Sequence, residues 1–90
     1  VGTRALGANT TADANHAFGY EALENNTTGD KNTGVGYLAL NASTTATQNT
    51  AVGYEALNSV TTGGSLTAIG YRAAASTTTP NKLWLLVRRL

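Results

Sequence analysis

Asn-Thr-Ala-Val-Gly-Tyr-Glu-Ala-Leu, at residues 49–57, belongs to a repeat, because a recognisable copy lies 17 residues away on either side. Outward from this stretch, its central glycine recurs at the same interval along the chain. A fixed period of this kind indicates a repeat architecture, in which each unit is stabilised by stacking on its neighbours. The recurring glycines are Gly2, Gly19, Gly36, Gly53 and Gly70.

Other positions of the repeat also keep one type of residue. The position before the glycine is apolar, a leucine follows four positions after it in most copies, and an asparagine precedes three of the copies. Two adjacent positions between motifs hold only threonine. These repeated positions, called columns below, predict ridges of like side chains along a stack. The columns include Val35, Val52 and Ile69; Leu23, Leu40 and Leu57; and Asn15, Asn32 and Asn49.

The period and its residues predict an all-β fold. Seventeen residues are too few for a helix pair, and glycine beside β-branched residues and tyrosine disfavours helix. We expect a parallel β-roll or β-solenoid with 17-residue rungs, about five of them, over residues 1–79. The Asn-Thr-Ala-Val-Gly-Tyr segment would form the main strand, and the Ala-Leu and Thr-Thr segments a weaker one. Turns are expected at Gly29-Asp30 and Gly63-Gly64.

The alternation of side chains along the main strand predicts which columns face inward. If Val52 and Leu57 point into the coil, Ala51 and Gly53 point outward. An outward face of alanine and glycine would let another copy approach closely, so we expect self-association, most simply as a three-fold bundle. A bend is expected at the glycine, and the direction of Tyr54 is left open.

Residues 80–90 depart from the repeat. Carrying the frame forward places Trp84 in the column of Thr50 and Val87 where glycine belongs. A bulky apolar unit would cover the open end of a stack of small ones, so Leu83, Trp84 and Leu86 are predicted to form a cap or subunit-packing element. The alternative is attachment to a neighbouring domain.

Composition excludes several classes of partner. Six basic residues against five acidic ones leave a net charge of +1, which is no footprint for nucleic acid or an anionic membrane. The absence of cysteine excludes disulfides and thiolate metal sites. No apolar run approaches the roughly 20 residues that a membrane-spanning helix needs.

No residue pattern predicts catalysis. His16 is the only histidine, and it occupies the column of Thr33, Thr50 and Thr67. One histidine and five scattered acids do not assemble a base with its partner, so we expect no enzyme activity, no metal and no cofactor.

Three further columns have structural interpretations. The asparagine column favours a ladder between rungs over sugar binding. The paired threonine columns are typical of corner ladders, with ice binding as the alternative. The column after the tyrosines predicts charge pairs between stacked rungs, Arg4 with Glu21 and Glu55 with Arg72.

The repeats at Asn15–Leu23, Asn32–Leu40 and Asn49–Leu57 resemble those of trimeric autotransporter adhesin heads, where short Asn/Ser-Val-Ala-Ile-Gly motifs mark the rungs of a parallel β-roll. They are also similar to repeats in bacteriophage tail fibres. The resemblance implies a non-enzymatic, homotrimeric fibrous module outside the cell, on a cell surface or a virion, which either holds binding tips away from that surface or itself contacts a host surface or matrix. The alternatives are a self-assembling extracellular filament subunit and an ice-binding solenoid.

Overall fold

The structure, a computed structural model, describes residues 1–62, 64–75 and 86–88, the last range by its backbone. Within these ranges the chain has no helix, and its strands form one parallel sheet in chain order. The all-β prediction is therefore confirmed, and the architecture fits a β-solenoid or β-roll. The strands are β1 (His16–Phe18), β2 (Thr33–Val35), β3 (Thr50–Val52), β4 (Thr67–Gly70) and β5 (Leu86–Arg88).

The register of the sheet follows the sequence period from β1 to β4. Thr33 lies opposite Thr50, and Thr50 opposite Thr67, so each column of the sequence is a row of neighbours in space. His16 lies opposite Thr33, in the position that its column predicts. At the end of β3 the chain bends at Gly53, as expected.

The four repeats with Gly19, Gly36, Gly53 and Gly70 each contribute one strand, and the prediction of a second strand in these repeats was wrong. The Ala-Leu segments are turns, because two residues in each adopt a left-handed backbone, as Glu21 (φ 54°) and Leu23 (φ 53°) do. These turns still bond to their neighbours, since the Leu23 amide donates to the Ala39 carbonyl at 3.0 Å. Elsewhere in the described ranges, the isolated β-bridges outside the five strands number one, between Thr47 and Gly64, although further backbone hydrogen bonds join neighbouring repeats.

At the turn expected at Gly29-Asp30, neither of these two residues has a positive φ. The positive φ falls on the next residue, Lys31 (φ 62°), and the chain also bends at Thr27 and Thr28. Gly29 is required for space, because a Cβ there would overlap the Ala46 carbonyl oxygen. Gly63, in the other expected turn, lies outside the described residues.

The inward and outward faces of the main strand are the reverse of the prediction. Ala51 is fully buried, whereas Val52 is partly exposed; Leu57 points inward as expected. The reason is the width of the interior. A Cβ built on Gly34, in the column of Ala51, would lie only 3.4 Å from Leu23 Cγ, so leucines from the turns fill the space and leave room for a methyl group at most.

We expect Ala51→Val to destabilise the fold by about 1–3 kcal/mol, because the extra methyl groups overpack this narrow interior. Thr50→Val is the matched control, since it places valine one position away in a partly exposed column and should cost less than about 0.5 kcal/mol. Urea unfolding measures both. Equal tolerance of the two substitutions would show that the Ala51 column does not face the core.

The asparagine column forms a ladder whose partners are backbone groups. The Asn32 side-chain oxygen accepts the Asn49 backbone amide at 3.0 Å, and its Nδ2 donates to the Ala46 carbonyl at 2.7 Å. The Asn15 oxygen likewise accepts the Asn32 amide at 2.9 Å. At the far end, the Asn49 oxygen accepts the Leu66 amide at 3.1 Å. Each side chain thus replaces a backbone acceptor between neighbouring repeats.

β5 extends the sheet with a register that differs by one residue from the repeat frame. Val87 pairs with Ile69, whereas the sequence period placed it at the Gly70 position. Leu86 pairs with Ala68 and so continues the column of the buried alanines. Leu83 and Trp84 lie outside the described residues, and the cap stays a prediction.

Candidate functional site

The outward side of the sheet carries a row of apolar residues, named here the apolar stripe. It comprises Phe18, Val35, Val52 and Ile69, which occupy one register position on successive strands. Phe18 is 50% exposed and Ile69 40%. A continuous apolar row on a regular sheet is a candidate protein–protein interface.

A second column lies two residues before the stripe on the same side of the sheet. Thr33, Thr50 and Thr67 are partly exposed, and His16 completes the column at one end. The outward side is therefore a row of threonines beside a row of β-branched residues, with His16 and Phe18 at one end.

The tyrosines form a third row, beyond the glycine bend. Their side chains point outward, a direction that the sequence left open. Neighbouring rings stack with centroids 5.4, 5.0 and 5.2 Å apart and planes inclined by 11°, 12° and 8°. This tyrosine ladder consists of Tyr20, Tyr37, Tyr54 and Tyr71, each between 41% and 45% exposed.

Charged residues beside the ladder form the predicted pairs. Arg4 contacts Glu21 and also approaches Glu24 at 3.1 Å, and Arg72 lies 3.3 Å from Glu55. Both predicted pairs are confirmed. The arginines are half exposed, so each pair contributes to the register of neighbouring repeats more than to stability.

The carboxylate of Glu55 raises the pKa of Tyr54, because a neighbouring negative charge opposes formation of the tyrosinate. Desolvation acts in the same direction, as do Tyr37 and Tyr71, while Arg72 opposes it. Since the folded-state pKa lies above the ordinary value, stability linked to this group is complete below about pH 10 and falls as the pH rises through the folded-state pKa.

We expect Glu55→Gln to lower the pKa of Tyr54 toward its ordinary value, since it removes the largest cause of the shift. Carbon NMR of the labelled tyrosine ring during an alkaline titration measures this. Glu24→Gln is the control, because Glu24 pairs with Arg4 at the other end of the ladder. An unchanged Tyr54 titration in the Glu55→Gln variant would contradict the assigned cause.

The two adjacent threonine columns differ in their hydrogen bonding and exposure. Thr10, Thr27 and Thr44 donate their hydroxyls to the carbonyls of Thr27, Thr44 and Thr61, at 3.1 to 3.4 Å. The second column, which includes Thr28 and Thr45, is exposed. In these three pairs one hydroxyl is therefore hydrogen-bonded to the backbone of the next repeat, so they do not present a double row of free hydroxyls.

Among the described residues, no group of three or more His, Cys, Asp or Glu side chains could hold a metal ion. No helix in those ranges is long and apolar enough to cross a bilayer. Asn32 and Asn49 are fully buried in their ladder, so they present no surface for a sugar.

The chain matches no protein-family model, no curated protein sequence and no solved structure. Sequence reasoning missed the outward direction of the apolar stripe. The available signal was Phe18, which is too large for a position opposite the leucines and marks this column as the outward one.

Proposed function

We propose that this chain is a non-enzymatic fibrous module, a β-solenoid of 17-residue rungs that assembles as a homotrimer in a cell-surface adhesin or a phage tail fibre. It would hold binding regions away from that surface or contact a host surface or matrix itself. The resemblance of its repeats supplies the biological setting. The observation that carries the assembly is the exposed apolar stripe.

The stripe supports self-association for two reasons. Its residues repeat at the strand spacing, about 4.8 Å, so a second copy is a partner with side chains at a matching interval along the whole row. The chain is also nearly neutral, with a net charge of +1, so copies do not repel strongly. Three stripes facing a common axis bury one another in a closed arrangement with equivalent contacts.

This assembly replaces the one expected from the sequence. An alanine and glycine face was predicted to meet the neighbouring copy, but Ala51 and Ala68 are buried inside their own chain. The proposed contact uses Val52 and Ile69 instead. Large apolar residues also bury more surface on association than alanine and glycine would.

Sedimentation equilibrium tests the proposal. We expect the chain to sediment at three times its mass of 9.2 kDa. Val52→Lys should give monomers, because it places a charge in the stripe, while Thr45→Lys, an equal charge in an exposed threonine column, should leave the trimer intact. Circular dichroism checks that both variants fold. A monomeric parent chain would contradict the trimer, and fibres that grow in electron micrographs would favour the filament alternative.

A second candidate function, ice binding, is favoured by one observation. Thr33 and Val35, Thr50 and Val52, and Thr67 and Ile69 form a regular two-column array on one side of a parallel sheet. Such an array would have to stay free of other copies to contact ice. Thermal hysteresis in a monomeric preparation would support this function, and its absence would remove it.

A further inference from the structure

All four tyrosines of the sequence belong to the tyrosine ladder. Tyr37 and Tyr54 each have a neighbouring ring on both faces. Arg4 lies over the Tyr20 ring, 5.9 Å from its centroid. Because the inner ring faces are covered, they offer no platform for a sugar or a cation. What the ladder exposes is a row of phenol edges and hydroxyls held beside one another.

We propose that the tyrosine ladder is a site of oxidative cross-linking, at which dityrosine forms between neighbouring repeats of one chain. The oxidant is hydrogen peroxide acting through a peroxidase. The modification depends only on stacking within a chain. It is therefore independent of the proposed trimer, whose contact is the apolar stripe on the other side of the glycine bend.

The chemistry balances within this scheme. Each of two phenols loses one electron and one proton, and the unpaired spin spreads to the carbons next to the hydroxyl-bearing carbon. Two such carbons form a carbon–carbon bond, and the two hydrogens on them move to the oxygens to restore both phenols. The two electrons and two protons reduce one hydrogen peroxide to two waters. The net change in the chain is the loss of two hydrogens.

Three features favour the reaction at this site. Centroids 5.0–5.4 Å apart keep each ring beside its coupling partner, so the second radical forms at high effective concentration. The rings are nearly half exposed, so they can rotate out of the stack to join edge to edge. The sequence contains no cysteine or methionine, the side chains that peroxide would otherwise oxidise.

The consequence would be a covalent link between consecutive repeats. Such a link closes a short loop of chain and restricts the unfolded state, as a disulfide does. A chain without cysteine would thereby gain a covalent cross-link whose effect on stability is comparable to that of a disulfide.

Two double variants with equal numbers of tyrosines test the proposal. Tyr20→Phe with Tyr37→Phe keeps the adjacent pair Tyr54 and Tyr71. Tyr20→Phe with Tyr54→Phe keeps Tyr37 and Tyr71, with a phenylalanine ring between them. Both variants keep four aromatic rings in the column, and circular dichroism checks that they fold. Dilute protein is treated with peroxidase and hydrogen peroxide, and the denatured monomer band is analysed by mass spectrometry and dityrosine fluorescence.

We expect the adjacent-pair variant to form at least about tenfold more intrachain dityrosine, recognised by a loss of two hydrogens in the monomer band. Peptide mapping should place its link at Tyr54 and Tyr71. Equal intrachain yields in the two variants would overturn the proposal. Products found only between chains would overturn it as well.

Discussion

Gly36→Ala is expected to destabilise the fold by about 4 kcal/mol, through backbone strain and overlap with the neighbouring repeat. Gly36 has φ 131°, a region that residues with a Cβ strongly avoid. A Cβ at this position would also lie 2.5 Å from the Gly53 carbonyl oxygen in the neighbouring repeat. Backbone cannot move aside as a flexible side chain can, so the substitution separates two stacked repeats. Urea unfolding measures the loss.

Gly64→Ala is the matched control for this substitution. Gly64 lacks the unusual positive φ, and its added Cβ would meet the Thr47 carbonyl oxygen at 3.2 Å, a small overlap. We expect it to cost about 1 kcal/mol or less. Similar losses from both substitutions would mean that the glycine column has no special role in stacking.

Asn32→Ala is expected to cost about 3 kcal/mol or more, because it leaves two buried backbone groups without their partner. The Asn32 oxygen accepts the Asn49 amide, and its Nδ2 donates to the Ala46 carbonyl. All three residues are fully buried, so water cannot take over these bonds without opening the stack. Thermal unfolding followed by circular dichroism measures the effect.

The control is Asn25→Ala, which removes one exposed side-chain bond to the Asn41 carbonyl at 2.8 Å. We expect a change of about 0.5 kcal/mol, since water replaces this donor readily. If Asn32→Ala proved as mild as the control, the asparagine ladder would not be holding neighbouring repeats together.

The longitudinal order of the fold, meaning which residues of neighbouring repeats lie above one another along the stack, is predictable from the sequence. Because a parallel stack places each column above itself, the glycine period alone predicts that His16 lies opposite Thr33 and that Arg4 meets Glu21. The bend after Val52 follows from the same glycine, which tolerates an unusual backbone. These features depend on spacing along one axis, which the sequence records directly.

The lateral order of the fold, meaning which residues of a repeat face the interior, is not predictable in this way. Whether Ala51 or Val52 faces inward depends on the distance across the interior, and that distance is set by Leu23 and its equivalents in the turns. Leucine has no preference for the left-handed backbone that it adopts there (φ 53° at Leu23), so no local signal marks the turn. Because no local signal marks this turn, the sequence predicted a second strand where the turn lies.

The candidate interface depended on the lateral order and therefore changed with it. Once Ala51 is inside, the outward column is the apolar stripe, and the expected contact between copies moves from alanine and glycine to phenylalanine, valine and isoleucine. For the tyrosine ladder, the sequence predicts that the four residues align in one column. The bend at the glycine, however, decides where they point.

Consecutive repeats of one chain lie directly above one another, and spin labelling of one exposed column measures this stacking. The sequence has no cysteine, so Thr28→Cys, Thr45→Cys and Thr62→Cys introduce three unique labelling sites in one exposed column. Nitroxides about 5 Å apart should exchange strongly and collapse the spectrum toward a single line. The Thr45→Cys variant alone should keep a resolved hyperfine spectrum. A resolved spectrum from the triply labelled chain would contradict the in-register stack.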